Sequence, residues 1–405
     1  MSKRNILTSI DVGTTKICTT VAQVNNGGDI RVIGVGVCPS KGLHKGLVVN
    51  INEAKESIRE SVRKAEQASD YKVESSYVGV TGRHVDSLNN RGVVAITRND
   101  RLVRQDDLKR VLQCAQSVKV PSDRKLLHVI PRGYTIDGQM GVQNPIGMHG
   151  FRLDVETHVI TAAVTSVQNL VKCIRSIGIE IDDLILEPLA SSEAVLSEDE
   201  KQVGVILADI GGGTTDVAVF KEGSIWHTSI LPVAGYQLTR DISIGLGLPF
   251  DVAEEMKKRY GSVMPIQESK EENATTISAD GHGVSYQDLC DILRARVEEI
   301  IRLILLEMPN AGYETLVPAG MVFTGGSSNL SGIEALGREI LQLPVRVGVP
   351  TQMYGIADTL RDPAYATSVG LLLWGAKYEG RQTWRSHGFG IGLRRLVSRM
   401  RNLFR

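Results

Sequence analysis

Two stretches of this chain repeat one another. The first reads Ile6-Leu7-Thr8-Ser9-Ile10-Asp11-Val12-Gly13-Thr14-Thr15-Lys16 and runs on from Ile17 to Val24. The second reads Val205-Ile206-Leu207-Ala208-Asp209-Ile210-Gly211-Gly212-Gly213-Thr214-Thr215-Asp216 and runs on from Val217 to Phe220. Each is a β-branched strand, an aspartate, a Gly/Thr turn and a second strand, which is a hairpin signal. The copies stand about half the chain apart. The simplest fold therefore has two similar domains, each opening on the same hairpin.

Helix-period stretches alternate with strands elsewhere, so the class is α/β. Glu53 to Ala68 and Val167 to Ile177 carry apolar or small residues at helical spacing. Tyr286 to Met308 is the clearest helix, with Ser285 and Asp288 as its capping box and Pro309 as its stop. Residues Thr81 to His158 hold three prolines, several glycines and a charged helix near Gln105 to Val118. They interrupt the first domain between a strand at Ser76–Thr81 and another at Val159–Thr165, and read as an inserted subdomain. The polar stretch Ser262–Ser285 reads as a solvated loop or hairpin with a strand around Thr275–Ser278.

Phosphate chains need backbone N–H donors at close range, and glycine permits that approach. Gly13, Thr14 and Thr15 form one such turn; Gly211, Gly212, Gly213, Thr214 and Thr215 form the other. Lys16 adds a point charge. Asp11 and Asp209 would repel phosphate alone, but each makes sense as a carboxylate holding hydrated Mg²⁺. Two facing turns would clamp a triphosphate between the domains. No Walker A loop occurs, and the glycines open a strand rather than a helix, which excludes a Rossmann fingerprint. Asp216 stands where the first copy, aligned on Thr-Thr, has Lys16. Two roles are open for it: a cleft residue, or the partner of a surface cation.

These turns resemble those of the actin, hexokinase and heat-shock-chaperone ATPase superfamily. Leu186-Glu187-Pro188-Leu189-Ala190-Ser191 resembles its connecting strand-to-helix turn. Phe323-Thr324-Gly325-Gly326-Ser327-Ser328 resembles its adenosine motif, and Pro363 to Gly375 its second connecting helix. Within the superfamily the FtsA family of bacterial cell-division actins is the nearest likeness. Lys41 to Val48, the insertion after Thr81-Gly82-Arg83-His84, and the run Ala253 to Gly261 carry it.

The resemblance implies a two-lobed actin-like fold with duplicated core domains, an FtsA-type insert and a terminal amphipathic helix. It implies ATP with Mg²⁺ on Asp11 and Asp209. Glu254 and Lys257 would contact ribose and adenine, and Gly325, Gly326 and Ser327 would let the backbone approach them. Glu187 would orient the attacking water, or else it is a strand-end residue that caps a helix. Hydrolysis would be slow at most. The domains expected are a first lobe (1–82, 161–190, 357–380), the insert (83–160), a second lobe (191–225, 300–356) with a small subdomain (226–299), a linker (381–392) and a helix (393–405).

That last segment puts Leu393, Leu396, Val397, Met400, Leu403 and Phe404 within a ~120° arc at 100° per residue. Arg394, Arg395, Arg399, Arg401 and Arg405 fall outside it, and the segment has no acidic residue. This suits an anionic membrane surface. The blander readings are a docked terminal helix or a solvated basic tail. The resemblance supplies the partners: FtsZ, further copies of the chain in filaments, anionic lipid at the inner face of the cell membrane, and other division proteins.

Lys and Arg number 46 against 46 Asp and Glu, which argues against a nucleic-acid binder. Scattered Cys18, Cys38, Cys114, Cys173 and Cys290 form no C-x-x-C pair, and a reducing cytoplasm fits them. No signal peptide or membrane span is expected. A superfamily sugar or acetate kinase lacks a marked base here, and a chaperone lacks room for a substrate domain. A pilus-assembly actin homologue shares the insert type but lacks the terminal helix.

Overall fold

The computed structural model describes residues 5–25, 28–117, 120–264, 276–279, 281–308, 316–356 and 358–378. The linker and amphipathic-helix expectations, and the Pro309 stop, lie outside the described residues.

Both repeat segments are antiparallel hairpins, and each begins a sheet of the same topology. The first sheet places Glu180–Leu186, Ser75–Val80, Asn5–Val12, Lys16–Val24 and Ile30–Pro39 side by side, with Met353–Gly355 added at the far edge. The second places Val345–Val347, Met321–Thr324, Val205–Ile210, Thr215–Lys221 and Ser224–Leu231 in the same succession. In each, a three-strand meander is extended by two strands running parallel to its first. Sheet order alone thus establishes the duplication.

Burial explains the strand composition. The central strands read as near-continuous apolar runs because both faces are covered. Ile10, Val78, Leu184 and Ile185 lie wholly inside the first core, and Ile206, Ala208, Val217 and Phe323 inside the second.

The helix Ile51–Ser69 covers the first sheet with Ala54, Ile58, Val62 and Ala65. Asn50 caps it, its Oδ1 accepting from Asn52 N and Glu53 N at 3.1 and 3.3 Å. The helix Tyr286–Leu306 buries Leu289, Leu293, Val297, Ile300, Ile301 and Ile304 in the second core, each worth ~1.5–3 kcal/mol at full burial. Ser285 caps it through the Asp288 N–H at 3.3 Å.

The insert is a four-stranded antiparallel sheet, in the order Val85–Ala95, Arg152–Ala163, Arg124–Ile136, Gln139–Val142. The helix Gln105–Gln116 packs on it over Ile96, Val111, Ala115, Leu153 and Val155.

One boundary differs from expectation. Val159 to Thr165 is not a returning strand of the first lobe. Val159 to Ala163 stays paired within the insert's own sheet, and Val164 opens the helix Val164–Arg175. The long strand is apolar on both faces near its end, because it passes from the insert into the lobe core there. The first-lobe strand that follows is Glu180–Leu186.

The insert also leans on the opposite lobe. Ser87 Oγ donates to the Thr228 carbonyl at 2.8 Å and Asn89 Nδ2 to the Trp226 carbonyl at 3.3 Å. The edge strand Ser224–Leu231 would otherwise present bare carbonyls. Buried His158 bridges Asn89 Oδ1 and Thr228 Oγ1 at 2.8 and 2.9 Å.

Candidate functional site: a cleft between two glycine turns

Hairpin register sets which residues correspond between the lobes. Asp11 pairs with Cys18 and Val12 with Ile17; Asp209 pairs with Asp216 and Ile210 with Thr215. Both turns therefore have the same length, and equivalences count straight from each aspartate. Lys16 corresponds to Thr214, and Asp216 to Cys18. Aligning the copies on their Thr-Thr pairs, which matched Asp216 with Lys16, is out of register by two residues.

Thr14 and Thr15 are accordingly the counterparts of Gly212 and Gly213. The turns meet face to face. A Cβ on Gly212 would lie 2.2 Å from Thr15 Cγ2, and one on Gly213 would lie 2.5 Å from Thr14 Oγ1. The contact is reciprocal: the first residue of one turn meets the second of the other, in both directions. This is the isologous pattern of a two-fold axis, here a pseudo-axis within one chain. As they stand, the turns leave no room for a phosphate chain between them.

Below the turns lie four buried carboxylates. Asp11 accepts from Ser368 Oγ at 2.7 Å, and Asp209 from Thr367 Oγ1 at 3.1 Å. Neighbouring residues of the helix Ala366–Tyr378 thus serve one aspartate in each lobe. Asp216 accepts from Thr81 Oγ1 across the lobes at 2.7 Å. Glu187 sits in the first turn of the helix Glu187–Val195, whose N-cap is Leu186 with no side-chain cap, and its carboxylate lies against Gly79.

Burial raises all four carboxyls, and for Glu187, Asp209 and Asp216 the charge of neighbouring carboxylates adds to it. Asp209 is pushed up to about 6, by burial and then by Asp11, with the Thr367 and Ser191 hydroxyls opposing. Asp216 is pushed up to about 8, by burial and then by Asp209. Glu187 is held well above the carboxylate range by burial, then by Asp11, Asp216 and Asp209. Asp11 is raised by burial, with Lys16 opposing.

An oxygen-only, charge-crowded donor set of this kind fits a divalent cation. Among the described residues no three His, Cys, Asp or Glu side chains converge closely enough to hold one directly. Asp11 and Asp209 would hold it.

The remaining candidates divide into two groups. Gly325, at φ 84°, presses against Asp209: a Cβ there would lie 2.4 Å from Asp209 Oδ1. Its N–H donates to the Pro363 carbonyl at 3.0 Å. Gly326 begins the short 3₁₀ turn that follows, and Ser327 Oγ donates to the Gly211 carbonyl at 2.9 Å. Glu254 and Lys257 are paired at 2.6 Å, and Lys257 Nζ also donates to the Gly235 carbonyl at 3.2 Å. Gly235 in turn donates to the Gly211 carbonyl at 3.0 Å. These contacts gather Gly211, Gly235, Ser327 and Lys257 at one place.

Two side chains turn elsewhere. Lys16 Nζ donates to the Ala364 carbonyl and lies 4.3 Å from the Tyr365 ring centre, tying the first turn to the segment before the helix Ala366–Tyr378. Thr215 is fully buried, its hydroxyl donating to the Val233 carbonyl at 2.7 Å. The Leu393, Arg394, Arg395, Leu396, Val397, Arg399, Met400, Arg401, Leu403 and Phe404 set lies outside the described residues.

Sequence reading missed Gly235, Thr367, Ser368 and Thr81. The two hydroxyls were within the quoted Pro363–Gly375 motif. Thr81 stands in the Thr81-Gly82-Arg83-His84 stretch but nothing local ties it to the cleft, and Gly235 carries no local signal, because only the folded chain brings them to Asp216 and Gly211.

A family model described as "Cell division protein FtsA" matches residues 206–370, and one described as "SHS2 domain inserted in FTSA" matches residues 82–161. The chain is 44% identical over 373 residues to the cell division protein FtsA of Pseudomonas aeruginosa, covering 91% of this chain and 89% of that one. It is 40% identical to that of Neisseria meningitidis, covering 93% and 92%. With that of Escherichia coli K12 it shares 34% identity, covering 92% and 90%.

Among solved structures, the PilM-PilN type IV pilus biogenesis complex aligns with TM-score 0.63 at 16% identity, covering 91% of this chain and 98% of that one. MreB 5 of Spiroplasma citri bound to AMPPNP aligns with TM-score 0.57 at 14% identity, covering 94% and 98%. These likenesses establish the actin-like fold that the turns implied.

Proposed function

The chain belongs to the FtsA family of cell-division proteins, and from that premise we propose that it binds ATP with Mg²⁺ between its lobes, assembles into filaments at the cytoplasmic face of the cell membrane, and anchors FtsZ there while recruiting other division proteins. The observation that carries the nucleotide part is the reciprocal meeting of the two turns above Asp11 and Asp209. Mg²⁺, when bound, supplies positive charge against the phosphate oxygens.

The chain's own residues do the rest. Backbone N–H groups of both turns donate to phosphate, and Asp11 and Asp209 are held in orientation by Ser368 and Thr367. Glu187 sits within the carboxylate cluster where it would orient water; hydrolysis is slow at most. The terminal residues 393–405 supply the membrane contact by their apolar arc and arginines. A pilus-assembly role is not favoured, since the relatives at 34–44% identity are division proteins while the pilus complex shares the fold at 16%.

The test is flotation with anionic vesicles, purified FtsZ and Mg-ATP. The full chain carries FtsZ to the top. A chain ending at Gly380 leaves it behind, as does the pair Leu396→Glu, Met400→Glu. Flotation of FtsZ with the truncated chain would refute the anchor. Absence of any heat on titrating Mg-ATP into the full chain would refute the cleft.

A further inference from the structure

Aromatic side chains bridge the lobes at the tips of the two turns. His44 stands in the first-lobe hairpin of Leu43–His44 with Leu47–Val48. Tyr236 is the second residue of the second-lobe helix Gly235–Gly245. Their rings meet edge to face, with centroids 6.1 Å apart and planes at 88°. Phe250, at the start of the helix Phe250–Tyr260, backs Tyr236 at 5.1 Å. Tyr236 and Phe250 are 40% and 42% exposed, so neither is needed to fill a core.

Each ring is wired to the turn of its own lobe. The Gly46 N–H, two residues beyond His44, donates to Thr14 Oγ1 at 3.1 Å. The Tyr236 N–H donates to the Gly212 carbonyl at 2.7 Å. Parting the turns therefore draws His44 and Tyr236 apart. The helix Ala366–Tyr378 joins the lobes at the aspartates, below the turns, and the rings join them at the tips.

We propose that His44 and Tyr236, buttressed by Phe250, form a clasp at the mouth of the cleft that sets how fast nucleotide enters and leaves. This rests on the nucleotide reading above. An aromatic pair of this geometry contributes enough beyond its buried area to change an opening rate roughly two- to tenfold. Because opening precedes both entry and exit, both rates change together and the affinity changes less than either.

The experiment is stopped-flow fluorescence on the full chain, with N-methylanthraniloyl-ATP and Mg²⁺, measuring association and then displacement by excess ATP. Tyr236→Ala and His44→Ala each raise both rate constants roughly two- to tenfold. The double variant goes no further than the faster single one, since one contact is lost in each case. Tyr236→Phe, which keeps the ring, behaves as the parent. Parental rates in both alanine variants overturn the clasp and leave the nucleotide site standing. A parent chain that gives no signal at any concentration overturns the nucleotide reading itself.

Discussion

The Thr14–Gly213 and Thr15–Gly212 contacts show how little room the turns leave. Gly213→Ala should cost about 1–3 kcal/mol through overpacking, with a lower melting temperature and weaker Mg-ATP binding in titration calorimetry. Adding Thr14→Gly should recover much of the stability, because the clash is with that side chain.

Asp216 offers a second measurement. An aspartate in an unfolded chain titrates near ~3.9, whereas burial pushes this one up to about 8. The folded protein therefore holds a proton across that window that the unfolded chain has lost. The resulting stability is fully present below the unfolded value and is lost as pH rises toward 8. His84 and His128, lowered by burial to about 4, and His158, lowered to about 3, act in the opposite sense, removing stability as pH falls below ~6.5. Between those windows the carboxyl stands alone among these groups. The melting temperature should fall from pH 6.5 to 8, and Asp216→Asn, which still accepts from Thr81, should flatten that fall.

At the scale of elements, the two connecting helices carry a tightly constrained contact. Gly370 lies against the backbone of the helix Glu187–Val195: a Cβ there would stand 1.8 Å from the Ala190 carbonyl oxygen. Gly370→Ala must push the helices apart. It should lower the urea midpoint by the equivalent of about 1–3 kcal/mol or more. It should also weaken Mg-ATP binding, since Thr367 and Ser368 move with the helix.

The sequence made most elements legible. Helical spacing located Ile51–Ser69 and Tyr286–Leu306, and the repeat located both hairpins. It misplaced the strand after the insert, because an apolar run looks the same whether its neighbours belong to the insert or the lobe. It also aligned the turns on their threonines, where ladder pairing aligns them on their aspartates.

At the scale of the molecule, the duplicated sheet order was readable only in part. A repeat of hairpins says nothing of the parallel strands that later join each meander. The site was legible as two turns, but Thr81, Gly235 and the hydroxyls at 367 and 368 come from far along the chain. Docking of the insert was not legible, because Ser87 and Asn89 engage the Thr228 and Trp226 backbone carbonyls and the one side-chain partner, the Thr228 hydroxyl, meets a histidine 70 residues earlier in the chain. Ser87→Ala with Asn89→Ala should raise amide hydrogen exchange across Ser224–Leu231 without lowering the melting temperature of the cores.

The reciprocal turn contact also bears on ancestry. If the lobes descend from one gene, its product paired with an identical copy, and each turn then faced its own likeness. Today two threonine turns would collide, and two glycine turns would leave a gap. On that descent, the two lobes have since diverged into bulky and slender forms of one surface.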